Sequence, residues 1–241
     1  MVVPERLRWL VSEITEVRSG GPSLVHLPDP DTCLVFRART AGRGDLLVVG
    51  PRTRASYHNG KDLPVCLRFR LRPGAARLLF GVAVSELVDR IVPVGELWDG
   101  AGDLAAESGE DVVGRLEEAL PAMLAARSTA DLDRAGLLRT AAGALNGERR
   151  EALPTLAGRL AVSERHLRDL FSDGIGLPPK RFQRLARLRK VLARGGTSRW
   201  AQLAVTAGYY DQSHMTAEFR TLMGVTPAAY FAGRLPALRP C

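Results

Sequence analysis

Lysine is nearly missing from this 241-residue chain: Lys61, Lys180 and Lys190 stand against thirty-one arginines. Cysteine is as scarce, with Cys33, Cys66 and Cys241 only. Three scattered thiols exclude a disulfide framework and make a reducing cytoplasm the expected location. No run approaches 18 consecutive apolar residues, so no membrane-spanning helix and no membrane partner is expected. The first residues, MVVPERLRWLVSEITEV, are broken by charge every few positions and lack the apolar core of a signal peptide. What is present is an ordinary globular balance, 46% hydrophobic and 25% charged residues, in a chain long enough for one or two domains.

Charge is placed unevenly. Residues 1–130 carry 16 Lys+Arg against 17 Asp+Glu, and residues 131–241 carry 18 against 9. The net charge of +8 therefore belongs to the C-terminal half. Abundant arginine is the plain explanation, but it does not account for the thinning of acids. A basic half beside a neutral half suits one domain that faces a polyanion and another with a separate task.

The N-terminal half is β-rich by pattern. Leu7, Leu10, Val11, Ile14 and Val17 recur at spacings of three and four, which predicts a short first helix. Residues 19–30, with SGGPS and PDP, predict a loop. Short apolar runs at 34–36 and 46–49 predict strands, and 65–71 alternates strictly: Val65, Leu67, Phe69 and Leu71 against Cys66, Arg68 and Arg70. Short helices are expected at 75–80 and 85–92. Residues 111–127 are amphipathic through Val112, Leu116, Leu120, Met123 and Leu124, with Pro121 expected to kink or divide the helix. This joint packs on its own domain or forms a dimer seam or signalling helix.

From Asp131 the pattern is all-helical. Leu132–Leu145 ends at Asn146-Gly147, and Leu153–Leu160 tolerates Pro154 in its first turn. Ser163 is placed to cap a helix with Leu167, Leu170 and Phe171 inside. Arg165, His166, Arg168 and Asp169 lie outside. A short helix, a tight turn and a polar-faced helix make a helix-turn-helix, or any α-hairpin. Gly174 and Gly176 close this unit. A helix from Pro178-Pro179 to about Ala193 follows, with Lys180, Arg181, Arg184, Arg187, Arg189 and Lys190 and no acid, a pattern suited to phosphates. Then the motif recurs. Trp200, Leu203, Ala204 and Ala207 form a short helix, Gly208-Tyr209-Tyr210 the turn, and Asp211 caps a helix with Met215, Phe219 and Leu222 inside. Two such units could enter successive major grooves, about 34 Å apart.

Residues 132–235 resemble the AraC-type DNA-binding domain through LAGRLAVSERHLRDLF, GLPPKRF, LAVTAGYYDQSHMTAEF and GVTPAAY. Met215 replaces a usual aromatic, and Ala161 a usual glycine, which implies a non-glycine backbone there. Carried over by position, the resemblance implies base contacts from Arg165, Arg168, Asp169, Gln212, Ser213, His214 and Ala217. It implies phosphate contacts from Ser163, Lys180, Arg181 and Thr216, to which the basic face of the linking helix adds Arg184. Arg is shaped for guanine, and Asp can accept from cytosine. For each residue the plain alternative is a solvated side chain, and for Asp169 a pair with Arg165 or Arg168. Residues 28–100 resemble, more weakly, the shortened cupin-like N-terminal domain of some such regulators, which implies a sensor for a small-molecule effector. Tyr57, His58, Cys66, Arg68 and Arg70 are the candidate pocket wall.

The expected fold class is α+β: a cupin-like sensor domain at 1–105, a helical linker at 106–130 and a DNA-binding domain at 131–241. The expected function is a sequence-specific transcription regulator with double-stranded DNA, RNA polymerase, an effector and a second copy as partners. The alternatives are a non-specific nucleic-acid-binding module and a cupin enzyme fused to a DNA-binding tail. No catalysis, cofactor or metal is expected. His166 and His214 fall in the helix-turn-helix units, leaving His26 and His58 without a close pair in sequence. Cys33 and Cys66 are expected as buried thiols, and no phosphate-cradling loop or nucleophilic triad is found.

Overall fold

A computed structural model describes residues 1–17, 23–38, 44–60, 66–99, 104, 109–147, 151–196 and 199–240. Val65 and Cys241 lie outside the described residues. The chain divides into an N-terminal β-sheet region and a C-terminal helical region.

Five antiparallel strands form the main sheet in the order β1-β6-β3-β4-β7: β1 (Val11–Glu16), β3 (Cys33–Arg37), β4 (Asp45–Val49), β6 (Cys66–Leu71) and β7 (Ile91–Pro93). A second sheet pairs β2 (Ser23–His26) with β5 (Ser56–Asn59). On β6, Leu67, Phe69 and Leu71 are buried while Arg68 and Arg70 stand half-exposed, as the alternation requires. The buried face packs on α1 (Ala75–Phe80) and α2 (Gly109–Ala125). Val112, Leu116 and Leu120 of α2 belong to this first core, and α2 runs unbroken through Pro121. The amphipathic face of the joint is therefore packed on the N-terminal half.

Three N-terminal expectations are corrected. The first helix is only a 3₁₀ turn at Glu5–Leu7, and Val11–Glu16 is a strand. Its helical spacing comes from a bulge: the register slips between Val11 and Glu13, so Val11 and Ile14, three apart, both face the core. The expected loop at 19–30 contains β2, whose partner β5 gives its backbone a ladder. The helix expected at 85–92 is a 3₁₀ turn at Val84–Leu87 followed by β7.

Cys33 and Cys66 are buried, free thiols. Cys33 pairs in register with Arg70 and Cys66 with Arg37. They thus sit four positions apart along adjacent strands, about 13 Å, beyond disulfide reach. Burial pushes the Cys33 thiol up to about 11.

The second core lies between α3 (Thr129–Asn146), α4 (Leu153–Arg159), α5 (Glu164–Ile175), α6 (Pro179–Arg194), α7 (Trp200–Ala207), α8 (Gln212–Met223) and the short α9 (Pro227–Phe231). Its centre includes Phe171, Leu185, Leu188, Met215 and Phe219, all fully buried. Phe171 meets Phe182 edge to face at 5.5 Å, which locks α5 against α6. Helix α5 ends at Gly176 (φ +83°), and Gly174 lies inside it. There a Cβ would come within 2.3 Å of Leu138 on α3; Gly174 is a packing position rather than a stop.

The halves also touch directly. The amide of Ala55 donates to Leu222 O at 2.8 Å, and that of Gly74 to Gly174 O at 3.3 Å. Near the C-terminus, Arg239 exchanges backbone bonds with Tyr57 and Asn59 at 3.0 Å each, so the tail lies along the edge of β5.

Candidate nucleic-acid interface

Helices α4 and α5 form the first unit. The turn between them passes through Ala161 at φ +54°, a left-handed conformation. The glycine-like geometry is kept without the glycine, which corrects the expected non-glycine backbone and strains that residue. Ser163 Oγ then accepts from the His166 amide at 3.1 Å, satisfying one of the free donors of the first turn. Leu167, Leu170 and Phe171 point into the core, and Arg165, His166, Arg168 and Asp169 into solvent. Arg165 lies 4.0 Å from Asp169, and Arg168 pairs with Glu164. Exposed pairs of this kind contribute at most about 1 kcal/mol, so both arginines can be drawn toward another anion at little cost.

Helices α7 and α8 repeat the arrangement. Gly208 makes the turn at φ +89°, and Asp211 Oδ1 accepts from the His214 amide at 2.7 Å. Gln212, Ser213, His214, Ala217 and Arg220 are exposed. Gln212, Ser213, Thr216, Ala217 and Arg220 line an open concave surface that extends to Thr226 at the start of α9.

Lys180 and Arg181 of α6 are exposed, but its other cations are not a free phosphate-facing stripe. Arg184 Nε bonds Glu218 on α8 at 3.0 Å, and Arg187 bonds both oxygens of the same carboxylate at 2.8 and 2.9 Å. The Arg187 guanidinium also lies over the Tyr209 ring, 5.1 Å from its centroid. Arg189 reaches Asp29 and, at 2.7 Å, Asp31 of the N-terminal half. Lys190 donates to Gly147 O at 3.1 Å. A helix without acids thus takes its counterions from elsewhere in the fold. Glu218 is the residue sequence reasoning missed. It lies 7% exposed among Met215, Phe219 and Leu222, and an acid on the inward face of a helix is the signal that could have found it.

The five candidate effector-wall residues make contacts of their own within the fold. The Tyr57 hydroxyl donates to Met223 O of α8 at 2.6 Å. His58 lies 5.3 Å from His26, ring to ring, so the fold makes the histidine pair that sequence spacing did not show. Burial, with Arg52 and His58 nearby, lowers His26 to about 4. Cys66 is buried in β6. Arg68 bonds Asp29 at 3.1 Å, and Arg70 bonds Asp29, Asp31 and Glu13 at 2.8–3.1 Å. Burial disfavours a charged Asp29, but Arg189, Arg70, the Asp31 amide and Arg68 outweigh it and hold its carboxyl below the usual range. Among the described residues no group of three His, Cys, Asp or Glu is placed to hold a metal, and no helix is long and apolar enough to cross a membrane.

A helix-turn-helix family model matches residues 156–233. No curated protein matches the chain. Solved structures similar to it include the following three. The DNA-binding domain of AdpA, a global transcriptional factor solved with a target DNA, is 24% identical, covering 42% of this chain and 90% of its own (TM-score 0.36). An AraC-type transcriptional regulator from Chromobacterium violaceum is 20% identical, covering 44% and 96% (TM-score 0.36). ToxT from Vibrio cholerae O395 is 10% identical, covering 91% and 95% (TM-score 0.45). The capped polar helices, the two turns and the matched span agree: residues 156–233 are a helix-turn-helix domain.

Proposed function

We propose that this chain is a sequence-specific transcription regulator that reads two adjacent major grooves with α5 and α8. One observation carries the reading. Two N-capped helices, α5 and α8, share one core and each leaves a polar, exposed face. That is the arrangement a two-groove reader requires. Arg165, Arg168 and Asp169 of α5, with Gln212, Ser213, His214 and Ala217 of α8, take base edges. Ser163, Lys180, Arg181 and Thr216 take phosphates. Arg184, already held by Glu218, acts first as a strut between α6 and α8.

The proposed division is a cupin-like sensor at 1–105, a linker at 106–130 and the reader at 131–241. The sensor binds a small effector, associates with a second copy, or both, and the reader presents the complex to RNA polymerase. An effector shifts the reader only by binding two states unequally. Support for a sensor rests on the separate N-terminal core and its direct contacts with the reader.

The test is selection of bound DNA from a random pool with the full chain. An enriched site of two short elements about one helical turn apart is expected. Salt-sensitive binding with no enriched sequence would instead mark a non-specific module.

A further inference from the structure

The last four carbonyls of any helix lack partners within that helix. In this protein the N-terminal half supplies partners for both reading helices. Gly74 donates to Gly174 O near the end of α5, and Arg77 Nε bonds Asp173 of the same turn at 3.2 Å. Ala55 donates to Leu222 O, and the Tyr57 hydroxyl to Met223 O, in the last turn of α8. The helix between them, α6, is held separately through Arg189 and the Asp29–Asp31 pair.

Gly74 and Tyr57 sit in close-packed settings, while Arg77 is 40% exposed. Gly74 has φ +84°, and a Cβ there would lie 3.0 Å from Ala135 of α3. That approach admits only glycine without movement. Tyr57 is 6% exposed, and its strand is bonded on one edge to β2 and on the other to the C-terminal tail. Ala75 and Ala76 pack in the N-terminal core, and Tyr57 lies in the second sheet with Ala55 against the helical core. Both anchor segments belong to the N-terminal half, and the helices they hold belong to the two reading units.

We propose that Tyr57 and Arg77 are positioning residues for DNA reading. Through them the N-terminal half grips the far ends of α5 and α8 and sets the distance between the two base sequences the protein accepts. The inference rests on the two-groove reading above and adds its geometry. Residues that touch no base fix the spacer of the site. With the grip intact, a site with one extra base pair between its elements is strongly rejected. With the grip loosened, α8 follows the displaced element and the rejection weakens.

The experiment compares the full chain with its Tyr57→Phe/Arg77→Met variant. Tyr57→Phe keeps the ring and Arg77→Met keeps the aliphatic stem, so packing is retained. Two readouts are taken. The first is the affinity ratio between the selected site and the same site with one base pair inserted in its spacer. The second needs no DNA: the distance distribution between spin labels at Ser172→Cys on α5 and Thr221→Cys on α8, both exposed positions, with Cys241→Ser. The variant is expected to broaden the distribution and to lower the spacer ratio about threefold to tenfold, the worth of one or two net hydrogen bonds. Arg159→Ala, which removes an exposed pair with Glu151 on the reader itself, is expected to change neither. An unchanged distribution overturns the inference, and so does a broadened one with an unchanged spacer ratio. A chain that selects no sequence overturns the two-groove reading instead, and the distribution still decides whether the grip exists.

Discussion

Arg187 and Glu218 meet through three hydrogen bonds of 2.8, 2.9 and 3.2 Å, across the join between the linking helix and the second reading helix. Glu218 is almost wholly buried, and Arg184 completes its coordination at 3.0 Å. Deleting one member of such a group leaves the others charged in a poor solvent, which costs more than the group itself contributes. Glu218→Ala should lower unfolding stability by about 3 kcal/mol, read from denaturant midpoints. Arg184, 41% exposed, can turn to water, and Arg184→Ala should cost under about 1 kcal/mol. The same variant tests the strut role. Its log-affinity against log-salt slope should match that of the unaltered chain. A slope smaller by about one unit would show that Arg184 neutralises a phosphate.

Ala161 holds a left-handed backbone at φ +54°, where an L side chain costs about 1–2 kcal/mol. Glycine removes that strain but loses more freedom on folding, about 0.5–1 kcal/mol. The balance favours glycine. Ala161→Gly should stabilise the chain by up to about 1 kcal/mol, seen as a higher thermal midpoint with unchanged sequence preference. A lower midpoint would mean that the Ala161 methyl packs more usefully than its strain costs.

His26 gives the stability a pH dependence with a defined sign. Its folded pKa is lowered to about 4 from 6.5, chiefly by burial. Between those values the unfolded chain binds a proton that the folded chain refuses, so stability falls as the pH drops. The full shift corresponds to about 3 kcal/mol. The ring is only half-buried, and screening reduces the expected loss to about 1 kcal/mol. Asp29 acts in a separate, lower window. Its carboxyl is held below the ordinary value of 3.8, so its contribution is present above that value and is lost as the pH falls through its folded pKa. Denaturant midpoints at pH 7 and pH 4.5 should therefore differ by about 1 kcal/mol less in His26→Gln than in the unaltered chain. Equal differences would remove His26 as the cause.

The helical half was legible because its signals are local. Ser163 and Asp211 cap where their types and positions indicate, and Leu167, Leu170 and Phe171 mark the buried side of α5 by spacing alone. The sheet half was less so. The bulge at Ser12–Glu13 gave β1 a helical spacing, and β2 is too short to show a period without β5 beside it. Long-range partners were invisible. Nothing near Arg187 indicates Glu218, 31 positions away, and nothing near Tyr57 indicates Met223, 166 positions away. The candidate reading surface was thus legible as two faces, while the groups that orient those faces were not.

The clearest test of base reading is Arg168. It stands exposed on α5 and pairs with Glu164, one turn back on the same helix. That pair costs little to break, while a guanidinium aligned with guanine in a major groove makes two hydrogen bonds to its edge. Arg168→Ala should therefore lose about 1–3 kcal/mol at one base pair of the selected site and relax the preference there. The remaining positions should keep their ranking. Glu164→Gln separates the rival explanation. It frees Arg168 without removing it, so it should preserve or tighten binding at that base pair. If Arg168→Ala instead weakens every sequence equally, Arg168 contacts the backbone, and base reading by α5 falls to Arg165 and Asp169.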